Sequence, residues 1–212
     1  MTYKNRFKGE VIMIPTRKQT EEELKLAGQL NPGLWEEHAK NVGRAAEEIA
    51  KHCKWLDSDK AYILGCLHDI GRRVGIVGVK HIIAGYDYAI EKGWDEVARV
   101  CLTHSYPVQN ITTEIGKFDI TKEEYNRIDQ FLKSVTYDEY DKLIILCDSL
   151  ATAQGFCLLE KRFVDTTRRY GVFPFTVDRW NETIEIKEYF EKQMGCSVYD
   201  VLPNVKETTF ID

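Results

Sequence analysis

The stretch Gly65-Cys66-Leu67-His68-Asp69-Ile70-Gly71 places an imidazole and a carboxylate where an apolar helix should end. The residues leading into it, from about Ser58, carry Ala61, Leu64 and Gly65 toward His68 at helical spacing, and Gly71 supplies a C-terminal stop. On that register His68 points inward. Polar groups inside an apolar face are costly unless they find partners, so the neighbouring segments matter for what else they turn toward the same interior.

Upstream, over residues 35–54, Val42, Ala45, Ala46, Ile49 and Ala50 recur at steps of three and four, while Glu37, Lys40, Arg44, Glu47, Glu48 and Lys51 fall mostly off that stripe. His38 lies one turn before Val42, on the apolar side. Earlier still, Thr20 with Glu23 reads as a capping box for a short helix stopped by Asn31-Pro32-Gly33, and residues 1–19 read as an arm. Downstream, the run from Val74 to Val79 is too short for a strand and reads as a loop, either a plain connector or a cover over a site. His81 opens a third helix with Gly85, Tyr88 and Ala89 on its face. Over 94–104 a fourth helix places Val97, Val100, Cys101 and His104 at i, i+3, i+4 and i+7. Thr121 and Glu124 box the start of a polar helix. The next helix, predicted over 137–153, buries Asp148 on the face of Ile144 and Ala151. Two more are predicted over 157–170 and 177–194. With no Asn-Gly hairpin signal and no useful alternation, no sheet is expected, and the fold class is all-α.

A length of 212 residues fits one large domain, or one domain with an appendage. At 43% hydrophobic and 30% charged residues, disordered and low-complexity classes are excluded. Twenty-nine Lys and Arg against 34 Asp and Glu give a net charge of -5, so neither a nucleic-acid partner nor an anionic membrane is expected. There is no apolar run of membrane-spanning length, and Met1 to Glu10 is too charged for a signal peptide core, which points to a cytoplasmic location. Six cysteines without a Cys-x-x-Cys pair read as reduced thiols of the core. Of five histidines, only His52 stands apart: it lies 14 residues after His38 on the same helix, hence about 21 Å along it, and reads as surface or structural.

His38, His68, Asp69, His104 and Asp148 thus occupy positions where apolar residues would be expected, and His81 opens a helix nearby. Mixed His and Asp donors suit a divalent transition metal such as Fe, Mn, Zn, Ni or Co, and four to six of them can hold one or two ions. The order of His38, then His68-Asp69 in its Ile-Gly context, then an intrahelical Asp148 resembles the HD superfamily of metal-dependent phosphohydrolases, over residues 34–153. The resemblance implies an all-helical HD-domain bundle, preceded by an arm and short helix (1–33) and followed by a C-terminal helical extension (154–212) packed on the same core. It implies His38, His68, Asp69 and Asp148 as metal ligands, with His68 and Asp69 at the catalytic centre. His81 and His104 match the extra positions of members that hold two ions, in which Asp69 would bridge them. Two such ions, about 3.5–4 Å apart, acidify a shared water and align the attacked phosphate. Cys66, Cys101 and Cys147 read as packing around the ligands.

The implied function is hydrolysis of a phosphoester or phosphoanhydride in a nucleotide or other small phosphorylated metabolite. Arg72, Arg73 and Lys80 are the expected substrate-binding cations, and Arg168-Arg169 could contribute from the extension. Bacterial symmetrical dinucleoside tetraphosphate hydrolases share the ligand order, but His104-Ser105-Tyr106-Pro107 departs from their His-Thr-x-Gly. An HD-fold di-iron oxygenase acting on a small polar metabolite is the alternative, since it uses the same six ligands. A non-enzymatic sensor that keeps the metal is a third reading. The aromatic-rich tail would wall the pocket or form a homo-oligomer surface.

Overall fold

Residues 14–210 are described by the structure, a computed structural model. The first helix, α1 (Arg17–Leu30), starts from Thr16: its hydroxyl accepts from Gln19 N, and the Gln19 side chain accepts from Thr16 N. The capping box therefore lies one turn before the expected Thr20–Glu23 pair. Thr20 is inside the helix, fully buried, and donates its hydroxyl to Thr16 O. Both threonines offer an oxygen at the right spacing, but only Thr20 has apolar surroundings for its methyl group. Asn31 ends the helix as expected. Of the expected arm, residues 17–19 belong to α1 and residues 1–13 lie outside the described residues.

The next pair, α2 (Trp35–Lys51) and α3 (Ser58–Leu67), crosses at glycine: a Cβ on Gly65 would sit 2.7 Å from Gly43 Cα. Arg17 ties α1 to both, reaching Glu47 at 2.9 Å and Asp59 at 3.0 Å. The Arg17 hydrogen bond holds the Glu47 carboxyl below its ordinary value despite partial burial. A carboxyl whose folded pKa is depressed adds stability above its unfolded pKa and loses it as pH falls through the folded one. Glu47→Gln is therefore expected to cost about 0.5–1 kcal/mol at pH 7 and almost nothing near pH 3, as read by urea midpoints at the two pH values.

The chain does not stop at Gly71. His68 caps α3, and residues Ile70–Val74 tighten into a 3-10 helix ended by Gly75, whose φ of 127° suits glycine. Gly71 serves close packing instead, because a Cβ there would lie 1.9 Å from His81 O. That contact seats α4 (Lys80–Glu91) directly on the His68-Asp69 turn. Beside it come α5 (Asp95–Thr103), α6 (Lys122–Ser134), capped by Thr121 and Glu124 as predicted, and α7 (Glu139–Leu150).

The α7 helix is shorter than predicted, running neither from 137 nor to 153. At its end β1 (Ala151–Thr152) pairs antiparallel with β2 (Gly155–Phe156), which corrects the expectation of no sheet. Asn41 of α2 draws the hairpin in by donating to Thr152 O, and Gly155 turns at φ 137°. The chain continues through α8 (Leu159–Tyr170), α9 (Thr176–Met194), α10 (Val198–Val201) and α11 (Val205–Thr209). The last two are too short to show a period in sequence. Phe156, Leu159, Phe190 and Leu202 share one apolar core with Val42, Ile49, Leu64 and Leu146. The architecture is all-α apart from the four-residue ladder. All six cysteines are free, five of them buried. Among the described residues, no helix is long and apolar enough to cross a membrane.

Asp141 of α7, fully buried, accepts from Arg99 Nε at 2.9 Å and from the Thr103 hydroxyl at 2.8 Å. Thr103 immediately precedes His104, so this pair fixes the end of α5 where that imidazole leaves the helix.

Candidate metal centre

Three of the imidazoles sit at helix ends. His68 caps α3, His104 caps α5, and His81 is the second residue of α4. Each directs Nδ1 at a backbone carbonyl of its own turn: Gly65 O at 2.6 Å from His68, Gly78 O at 2.6 Å from His81, and Val100 O at 3.0 Å from His104. A carbonyl only accepts, so Nδ1 carries the hydrogen and Nε2 offers a lone pair. The local helical geometry thus selects the tautomer that can bind a metal.

The Nε2 atoms converge. His81 Nε2 and His104 Nε2 are 3.3 Å apart, and Asp69 Oδ1 lies 3.1 Å from the first and 3.5 Å from the second. Two lone pairs and an anionic oxygen facing one another require a positive charge between them. Donors at about 2.1 Å from one ion, set at 90–110°, would be separated by about 3.0–3.4 Å, close to what is found. His68 Nε2 and Asp69 Oδ1 are buried without a hydrogen-bond partner, which is costly for a polar atom unless an ion completes it. On the far side, His38 Nε2 is 2.9 Å from Asp148 Oδ1, which is also 3.7 Å from His68 Nε2. Two donor trios result, His38/His68/Asp148 and His68/Asp69/His104, and each could hold an ion, with His68 common to both. The residues present therefore fit a divalent metal.

Electrostatics agree with that fit. Burial pushes the His81 imidazole down to about 3, leaving it neutral and able to donate its lone pair. Burial alone would raise the Asp69 carboxyl, but the Arg72 guanidinium, with Nε at 2.5 Å from Oδ2, holds it well below the usual range. Burial likewise opposes ionisation of Asp148, and the His38 and His68 imidazoles together outweigh it. Both carboxylates stay ionised.

The cluster opens into a cavity of about 1010 Å³. Arg72 lines it. Arg73 and Lys80 are not among the lining residues. Successive side chains of a 3-10 helix diverge by about 120°, so Arg73 turns away from Arg72 and stacks on Tyr88, 3.9 Å from the ring centre. Lys80 is drawn to Glu124 at the start of α6. Of the Arg168-Arg169 pair, only Arg169 reaches the wall. The 74–79 loop borders the cavity through Ile76, Val77 and Gly78. His52 caps α2, exposed and away from the cavity, with Nδ1 on Glu48 O. Burial pushes the Cys66 thiol up to about 12, so it stays protonated.

Two lining guanidinium groups went unread in the sequence. Arg162 shares the Arg162/Thr166/Arg169 stripe of α8, an i, i+4, i+7 pattern that was legible. Arg179 of α9 donates Nη1 to Ser105 O at 3.0 Å and Thr113 O at 2.8 Å, contacts from distant segments that no local spacing announces.

The family model described as HD domain matches residues 35–153, more than half of the chain. No curated protein and no solved structure matches it.

Proposed function

We propose, from the premise that this chain belongs to the HD domain family of metal-dependent hydrolases, that it is a phosphohydrolase. Its substrate would be a phosphoester or phosphoanhydride of a nucleotide or other small phosphorylated metabolite. One observation carries this reading: the unpartnered His68 Nε2 and Asp69 Oδ1 sit in a cluster that opens onto a cavity lined by guanidinium groups.

In this reading His38, His68, Asp69 and Asp148 hold metal, and His81 and His104 extend the set to a second ion, drawn from Fe, Mn, Zn, Ni or Co. Bound divalent ions supply an acidified water as nucleophile and charge stabilisation at the phosphoryl oxygens. The chain's own groups do the rest. The carbonyls of Gly65, Gly78 and Val100 lock three imidazoles in the donating tautomer. Arg72 keeps Asp69 ionised through Nε and retains its two Nη groups for a phosphate oxygen, a charge-assisted contact.

The six donors would serve a di-iron oxygenase equally well; the cationic wall is what favours an anionic phosphate substrate. Protein reconstituted separately with Mn, Fe and Zn should release phosphate or a phosphorylated product from at least one member of a broad ester and anhydride panel. Turnover with redox-inert Zn would exclude the oxygenase. No release with any metal, together with oxygen consumption by the Fe form, would overturn the hydrolase reading.

A further inference from the structure

Arg162 and Arg169 of α8 and Arg179 of α9 all line the cavity, and none of them forms an ion pair with a described residue. The carboxylates on the same wall are largely engaged elsewhere, although Glu114 Oε2 is buried without a hydrogen-bond partner. Asp165 takes Lys161 at 2.7 Å, Asp119 accepts from Gly78 N and Lys80 N, and Glu114 Oε1 accepts from Ile115 N and Gly116 N. Arg162, Arg169 and Arg179 are thus guanidinium groups on this wall without an ion-paired carboxylate. Arg179 is the most enclosed: burial lowers its pKa against the nearby Glu114 and Asp148 carboxylates, neither of which lies within ion-pair distance. Its Nη1 is anchored on Ser105 O, the residue after His104, which sets it near the metal centre. Arg162 and Arg169 are seven residues apart on one helix, hence about 10 Å along its axis. That is farther than one phosphate group spans.

We infer that Arg162, Arg169 and Arg179 form a second anion subsite, so that the substrate class is one carrying at least two separated anionic groups, such as a polyphosphate chain or a bisphosphorylated metabolite. The group to be cleaved would lie at the metal centre with Arg72, and the other would lie along α8. This rests on the phosphohydrolase reading for the role of the metal end, but the subsite itself is built from residues of the C-terminal extension.

The test is calorimetric binding of tripolyphosphate and of orthophosphate to the full chain in chelator, at fixed ionic strength, so that no metal complexes the probe. Tripolyphosphate should bind at least tenfold more tightly than orthophosphate. Arg162→Ala and Arg169→Ala should each weaken tripolyphosphate about tenfold while barely changing orthophosphate. Arg168→Ala removes the same charge from the same helix but off the cavity wall, and should change neither. Equal binding of the two probes, no effect of the Arg162 and Arg169 changes, or an equal effect of Arg168→Ala would overturn the subsite. These outcomes are independent of turnover. A chain that binds tripolyphosphate as expected but releases no phosphate with any metal keeps the subsite and loses the hydrolase reading.

Discussion

Replacing His68 and Asp69 together with alanine is expected to lower phosphate release by at least about a thousandfold, and to abolish the rise in melting temperature that added Mn or Zn gives the unaltered protein. His68 belongs to both donor trios, and Asp69 is the carboxylate facing His81 and His104, so no divalent ion keeps its ligands once both are gone. An ion present at a hundred times its dissociation constant stabilises the fold by about 2.7 kcal/mol, and that increment should vanish. In chelator the substitution should still cost stability, because it removes the His68 Nδ1 bond to Gly65 O and the Asp69 Oδ2 partner of Arg72, although His68 Nε2 and Asp69 Oδ1 have no hydrogen-bond partner to lose. Thermal melts of both proteins, with and without metal, give all four values. A double variant that keeps its activity and its metal-dependent shift would refute the ligand assignment.

Asp141→Ala is expected to be the most damaging change away from the cavity, at about 3 kcal/mol of unfolding free energy. Burial pushes the Asp141 carboxyl upward, and Arg99 only partly offsets it, so the pair is not a strong net source of stability. Removing one partner is a different matter, because it leaves the Arg99 charge with only the exposed Asp138 carboxylate at 3.6 Å. Arg99 keeps 29% side-chain exposure, which holds the cost near the lower end for a broken buried pair. The same change frees the Thr103 hydroxyl next to His104, so metal affinity should fall about tenfold or more. Changing Arg99→Met together with Asp141→Leu should recover much of the stability in urea unfolding. A double variant as unstable as the sum of its single changes would contradict this reading.

The helical periods over 35–54, 94–104 and 121–134 were legible because each amphipathic face is long enough to repeat. His38 and His104 were legible as polar residues placed on two of those faces, and His68 and Asp148 as polar residues on the apolar helices beginning near 58 and 137. Elements under six residues, the β1–β2 ladder with α10 and α11, give no period to read. The Gly71 error came from taking conformational freedom as the only use of glycine, when close approach of α4 was the reason. That Arg73 and Lys80 face away from the cavity wall was not legible, because adjacency in sequence is not adjacency in a 3-10 turn or at a helix start, where one residue rotates a side chain to another surface. Asp141 precedes Asp148 by two helical turns on the same helix. That spacing was available, but it could not separate a carboxylate satisfied by Arg99 from one left to face an imidazole cluster.

The most direct measurement is elemental analysis of the bound metal after reconstitution and exhaustive dialysis, made on the unaltered chain and on the chain with His68→Ala and Asp69→Ala. Retention of two divalent ions per chain by the first, and none by the second, is the expected result for six convergent donors. An unaltered chain that retains no transition metal, or a double variant that retains as much, would contradict the assignment of this cluster as a metal centre.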